Sequence, residues 1–241
     1  MFPIRDHNPS LRKPYVTWLL IAANIVMYLL TLPDTGGGQT LWAHLALYPV
    51  AIMHGEYLWG LVSHMFLHAG LLHLGGNMLF LWIFGDNLED QMGHGGFLVF
   101  YLLAGLLAAA AQIATAPMSS VPMVGASGAI AGVMGGYLLM FPRARVDVVA
   151  IFLVFFKVFS LPAWLTLGLW LALQLFGGFS MTGSEGGVAY WAHAGGFLAG
   201  ALLCLPLFLK RGGTHFWAVT HGHPPHAAAT YAPTRIPRVR R

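Results

Sequence analysis

The stretch VGASGAIAGVMGGYLLMF, Val124 to Phe141, decides how this chain is read. It holds no Asp, Glu, Lys or Arg, and from Ser127 onward it reads as a membrane helix. Its one serine stands at the mouth of that helix, among glycines and alanines. Small residues of this kind let helices approach closely in lipid. They also leave room for a substrate to reach a nucleophile. Both readings apply to the same short stretch, and the neighbouring spans have to separate them.

The surrounding composition is that of a membrane protein. Of 241 residues, 57% are hydrophobic and 8% are charged, where a soluble domain carries about 25% charged residues. Mean hydropathy is +0.69. Several apolar stretches reach the ~20 residues that cross a hydrocarbon core. The formal charge of +4 therefore reports orientation in a bilayer and gives no reason to expect nucleic acid as a partner. The single cysteine, Cys204, lies in an apolar run as a small packing residue, which excludes an intrachain disulfide.

The expected fold is all-α, a polytopic bundle of six spans. They are Tyr15–Leu32, Gly70–Leu88, Phe97–Ala116, Ser127–Phe141, Leu161–Phe179 and Val188–Leu209. Residues 1–14 precede the membrane domain of residues 15–209. Residues 210–241, rich in His, Pro and Arg, are expected to be a disordered tail. The first apolar run is longer than the ~7–15 residues of a signal-peptide core and is read as a retained span. Pro33–Ala69 is rich in Trp, Tyr and His and is expected at the membrane interface. Val148–Phe159 is read as interfacial or partly re-entrant, and Asp86, Glu89 and Asp90 as the end of the second span.

Orientation follows from the basic residues. Arg5, Arg12 and Lys13 precede the first span. Arg143, Arg145 and Lys157 lie between the fourth and fifth. Lys210, Arg211, Arg235, Arg238, Arg240 and Arg241 follow the sixth. The loops after the first, third and fifth spans have none. The positive-inside rule then puts both termini in the cytoplasm and fits an even number of spans. With no transit-like leader, the expected location is a prokaryotic plasma membrane, with the site opening to the extracytoplasmic side.

In that topology the second, fourth and sixth spans all run from outside to inside. His73 and Asn77 lie in the first turns of the second, Ser127 opens the fourth, and His193 lies in the first turns of the sixth. Four polar groups from three spans thus share one depth, and polar groups inside spans need a reason. His73 and Asn77 are four apart and share a helix face. Gly196 and Gly200 continue the stripe of His193, while Gly125, Gly128 and Gly132 bare the fourth span. If these surfaces pack, the Ser127 hydroxyl comes within reach of the His193 imidazole, and an adjacent base activates a serine. His73, the Asn77 amide and the Ser127 N–H are candidate donors to an oxyanion.

These residues also carry a family likeness. GASG at Gly125–Gly128, HAGLLHLGGN at His68–Asn77 and AHAGGFLAG at Ala192–Gly200 together resemble the rhomboid intramembrane serine proteases. The likeness extends from about Tyr15 to Leu209. It implies an endopeptidase with a Ser127–His193 dyad, no acidic third member and no cofactor. It further implies an oxyanion site from His73, Asn77 and the Ser127 N–H, with Gly125 and Gly128 leaving space for substrate. It makes His68, Gly196 and Gly200 supporting residues and Gly177–Gly187 a mobile cap. The implied partners are the bilayer and transmembrane protein substrates. Two positions depart from the family pattern. Some members carry a tyrosine four residues after the serine, stacked on the histidine, where this chain has Ala131. Tyr190 and Trp191 are the sequence neighbours that could orient His193 instead. Others carry Trp-Arg in the first loop, where this chain has Trp59-Gly60.

Other readings explain less. His64 and His68 have zinc-ligand spacing, but no HExxH motif supplies a general base, so no metal is expected. His68 is read as a structural residue that ties down the first loop, and His64 as structural or solvated. The segment His221–His226 is read as solvated. A channel or transporter should show paired intramembrane charges or repeat symmetry, and neither is evident. A non-catalytic rhomboid-like protein that binds membrane clients is the alternative. It predicts loss of Ser127 or His193, and both are present.

Overall fold

Where a glycine-rich apolar run must pack in lipid, backbone contact replaces side-chain interdigitation, and that rule organises this fold. The computed structural model describes residues 2–8, 10–33, 37–152, 155–180 and 188–224. A strand β1 (Phe2–Asp6) leads into α1 (Tyr15–Leu30). Short helices α2 (Gly38–Leu45), α3 (Pro49–Met53) and α4 (Gly60–Ser63), with a 3-10 turn at His64–Phe66, fill the long first loop. Then come α5 (Leu71–Met92), α6 (His94–Thr115), α7 (Ser127–Met140), β2 (Arg145–Phe152) and β3 (Phe155–Pro162). The described chain ends with α8 (Ala163–Ser180), α9 (Tyr190–Lys210) and α10 (Thr214–Thr220).

A helix lies at each of the six expected spans. By length and composition, α6, α8 and α9 can cross a membrane. A fourth span arises if Gly60–Phe66 and α5, bent by 93° at their junction, count as one. The apolar helices α1 and α7 are shorter, with 16 and 14 residues. At 1.5 Å per residue, α7 is about 21 Å long, well short of the ~30 Å hydrocarbon core. It is short because Gly125 turns the chain at φ +126° before it and Pro142 follows Phe141 after it.

Helix α7 is the centre of the fold, buried on nearly every side. Its faces meet α5, α6 and α9 through different chemistry. Towards α5 the contact is aromatic, with Phe84 and Tyr137 edge-on at 5.0 Å. Towards α6 and α9 it is glycine and alanine. A methyl group on Gly128 would meet Ala108, and one on Gly135 or Gly200 would strike the backbone carbonyl of Phe197 or Gly132. Only hydrogen fits there.

Three expectations need correction. The fold is mostly helical but not all-α, because β1, β2 and β3 form an antiparallel sheet in that order. Val148–Phe159 is therefore part of a hairpin. Its β2 edge pairs with the N-terminal strand, Asp6 opposite Val146 and Phe2 opposite Val149. Asp147 anchors this sheet, accepting from Arg5 Nε at 2.8 Å and bonding His7 Nε2 at 2.7 Å. Those two partners, His7 first, hold its carboxyl below the ordinary range.

Second, the helix of the second span runs past the expected Leu88 to Met92, so Glu89 and Asp90 lie within it. The N-terminal segment satisfies its carboxylates inside the fold. Glu89, 1% exposed, accepts from Val16 N and Thr17 N at 2.8 Å, from Thr17 Oγ1 at 2.7 Å, and bonds His94 Nδ1 at 2.6 Å. It caps α1 from outside, since Pro14 at that helix's start provides no side-chain cap. Asp90 receives the Arg12 N–H at 3.0 Å.

Third, the segment after α9 is not disordered from residue 210 onward. In α10, Phe216 is buried and Trp217 Nε1 donates to the Leu139 carbonyl of α7 at 2.9 Å. Residues 225–241 lie outside the described residues.

Candidate active site

Three of the four polar groups, Ser127, His193 and His73, meet at the N-terminal end of α7. Ser127 is its first residue, following the turn at Gly125. That turn is held from the first loop, because Gly125 N donates to the His64 carbonyl at 2.9 Å. His64 is in turn fixed by its ring, with Nδ1 bonded to the Gly60 carbonyl at 2.7 Å. His64 is thus structural, and it acts on the loop that presents the serine.

His193 lies in the first turn of α9, and its Nε2 is 2.8 Å from Ser127 Oγ. The glycine stripes set this distance. Gly196 sits against the Gly128 carbonyl and Gly200 against that of Gly132, one turn apart, so the helix axes can hardly separate or slide. Gln112 of α6 fixes the start of α9 by accepting the Ala192 N–H at 3.1 Å.

His73 approaches from α5. Its Nδ1 accepts from Ala69 N at 3.4 Å, which leaves Nε2 to carry the proton. A methyl group on Gly125 would lie 2.9 Å from His73 Nε2 and 3.5 Å from Ser127 Oγ, so all three border one small space. Asn77, one turn further along α5, is buried, and its amide nitrogen has no protein partner. The Ser127 N–H belongs to the first turn of α7, whose N–H groups lack intrahelical acceptors and carry partial positive charge. Three N–H donors thus lie on elements that converge at this end of α7.

His68 sits at the bend before α5, ahead of the helix proper. Its ring packs edge-on against His73 at 5.1 Å, and its carbonyl accepts from Trp42 Nε1 at 3.3 Å. It props His73 and ties α2 to the site. Gly60, in place of the family's arginine, allows close backbone approach. A methyl there would be 3.0 Å from the Ala46 carbonyl, while Trp59 Nε1 donates to the His44 carbonyl at 2.9 Å. The first loop is therefore anchored by backbone contact and by the His44, Tyr57 and Trp59 rings.

Tyr190 and Trp191 do not orient His193. Tyr190 packs on Gly177, and Trp191 packs on Gly178 and Phe179. The residues that sequence reasoning missed are on α8. Gln174 Oε1 is 2.8 Å from His193 Nδ1, and the Trp170 ring lies 5.8 Å from the imidazole at 37°. A signal existed: Gln174 is a polar side chain in an otherwise apolar stretch of α8. Of the expected cap, Gly177–Ser180 belong to α8, and residues 181–187 lie outside the described residues.

The model of the Rhomboid domain matches residues 55–210, which include Ser127, His193, His73, Asn77 and Gln174. The chain belongs to the rhomboid family. It is 34% identical over 197 residues to Rhomboid protease GluP of Bacillus subtilis, covering 80% of this chain and 36% of that protein. It is 34% identical over 149 residues to Rhomboid protein 1, mitochondrial, of Saccharomyces cerevisiae, covering 59% and 40%. Rhomboid protease GlpG of Salmonella typhi is 30% identical over 97 residues, covering 40% and 34%. In these matches the chain spans between about a third and two fifths of the relatives' lengths.

Proposed function

We propose that this rhomboid-family protein is an intramembrane serine endopeptidase with a Ser127–His193 dyad. The observation that carries the reading is the 2.8 Å contact between Ser127 Oγ and His193 Nε2, held by backbone packing of α7 on α9. The names of its relatives agree with a protease.

The dyad acts in two half-reactions. Ser127 Oγ attacks a peptide carbonyl while its proton passes to His193 Nε2. The oxyanion accepts hydrogen bonds from the Ser127 N–H, His73 Nε2 and the Asn77 amide. The intermediate collapses as the imidazolium gives its proton to the leaving amine, and the acyl-enzyme remains. Water, deprotonated by His193, then releases the second product and restores Ser127.

In this reading the six apolar helices α1 and α5–α9 are the spans, and both termini face the cytoplasm. A short α7 agrees with Ser127 lying below the outer surface, within reach of water. The substrate is a membrane-anchored protein whose helix frays near its outer end, since a peptide bond in an intact helix is shielded and its carbonyl engaged. Of the two glycines near Ser127, Gly125 borders the space shared with His73, whereas Gly128 packs on Ala108 and leaves no room for substrate.

The test is incubation of the purified protein with a transmembrane substrate in detergent or proteoliposomes. Wild type cleaves and is labelled at Ser127 by a fluorophosphonate. Ser127→Ala and His193→Ala lose cleavage by ~10³-fold or more. Cleavage that survives Ser127→Ala overturns the mechanism.

A further inference from the structure

The dyad leaves open what sets the imidazole's tautomer and stops its rotation. Among the described residues no acidic side chain bonds His193, and position 131 offers only a methyl group. From the α8 contacts we infer that Gln174, with Trp170 one turn before it, is the positioning residue of the general base. This rests on the Ser127–His193 reading.

The direction of the hydrogen bonds is decided at the far end of the chain of contacts. Gln174 Nε2 lies 3.4 Å from the Trp170 carbonyl, which can only accept. The amide nitrogen therefore faces that carbonyl, and Oε1 faces His193 at 2.8 Å. The flipped amide would set two acceptors against each other. Since Oε1 can only accept, Nδ1 of His193 must carry the proton. Nε2 is then the bare nitrogen, 2.8 Å from Ser127 Oγ, and can take the serine's proton. One backbone carbonyl on α8 thus dictates, through the Gln174 amide, the tautomer that a general base needs.

Two further features fit this role. With both nitrogens engaged, the ring cannot turn about its Cβ–Cγ bond without breaking two contacts. The Trp170 indole covers the imidazole and is itself stacked on Phe197 at 6.1 Å and 28°. When the proton arrives at Nε2, the bond from Nδ1–H to Gln174 becomes charge-assisted and strengthens. Gln174 remains neutral throughout and takes no proton. It touches neither substrate nor reacting atoms.

A purely structural glutamine would stabilise the helix pair without affecting the chemical step, and kinetics distinguish the two. Gln174→Met keeps length and removes the acceptor, whereas Gln174→Glu keeps an acceptor oxygen toward His193, its other oxygen protonated against the Trp170 carbonyl or turned from it. With a transmembrane substrate in detergent, Gln174→Met is expected to lower kcat by roughly 10- to 100-fold, with KM and Tm close to wild type. Gln174→Glu is expected to recover most of that loss. Fluorophosphonate labelling of Ser127 should slow in parallel. Wild-type kcat in Gln174→Met overturns the inference. So does a loss that follows Tm and that Gln174→Glu fails to rescue. Ser127→Ala in the same assay keeps the readings apart. If it is inactive while Gln174→Met is unimpaired, only the positioning role fails; if it cleaves normally, the dyad fails.

Discussion

The two helices that flank the base meet it in opposite ways. Against α7, α9 is locked by backbone: Gly196 and Gly200 lie on the carbonyls of Gly128 and Gly132, with no side chain between them to repack. Against α8, the contact is made by long side chains, and within α8 only Ala163, Leu167 and Gly178 are buried. The first interface fixes distance, since it cannot yield without losing contact along a whole turn. The second fixes orientation, through one amide and one indole that have rotamers to explore. The difference predicts that damage to α7–α9 removes the protein, while damage to α8 removes turnover and leaves the protein standing.

The largest effect expected is at Gly200. Gly200→Val drives its side chain into the Gly132 carbonyl and should cost at least ~3 kcal/mol. Recovery of folded protein on size exclusion and its Tm in detergent measure this. A Gly200→Val protein with wild-type Tm would break the comparison.

A smaller effect is expected at the far end of α7, where Tyr137 OH donates to Asp6 Oδ2 at 3.0 Å. Burial first, and the neighbouring Asp86 second, push the Asp6 carboxyl up from 3.8 to about 6. The folded state therefore holds this proton more tightly than the unfolded chain does. Its contribution to stability is full below pH 3.8 and is lost as pH rises through about 6. Asp6→Asn, which cannot ionise, should gain up to about 2 kcal/mol on wild type above pH 6 and nothing at pH 4. Tm across that range reads the difference, and parallel curves would show that the fixed end of α7 does not feel this charge.

The smallest effect is expected on the outward face of α8. Leu173 is 57% exposed, beside Gln174 in sequence but turned away from His193. Leu173→Ala should change kcat and Tm by less than ~0.5 kcal/mol equivalent. Set beside Gln174→Met, it sharpens the comparison to a single helix, where one face orients the base and the other does not.

Much of this was legible from residue order alone. Ser127 begins α7 as expected, α1 begins at Tyr15, and α9 starts within two residues of its expected place. These boundaries are local, set by Gly, Pro and charge. The contact of Ser127 with His193 followed from depth and from small-residue stripes, which a sequence displays directly. Gln174 was visible as a polar residue, but its partner depends on how α8 is rotated against α9, and an apolar helix has no polar face to reveal that. The sheet was hidden for a related reason. Val148 to Phe156 is apolar at nearly every position, so no period of two stands out, and pairing with Phe2–Asp6 is too distant for local pattern to report. The partner of the acid cluster was not legible, because a charge near a span's end usually meets solvent. Here Glu89 meets the first turn of α1.

The pairing of β1 with β2 also sets an order of assembly. Phe2 lies opposite Val149, so β1 has no strand partner until β2 is made. At 5–20 residues per second that interval is roughly 7 to 30 s. During it, α1, α5, α6 and α7 can be synthesised while Phe2–Asp6 waits unpaired. β1 is thus made long before it can pair, while α8 and α9 are still to follow.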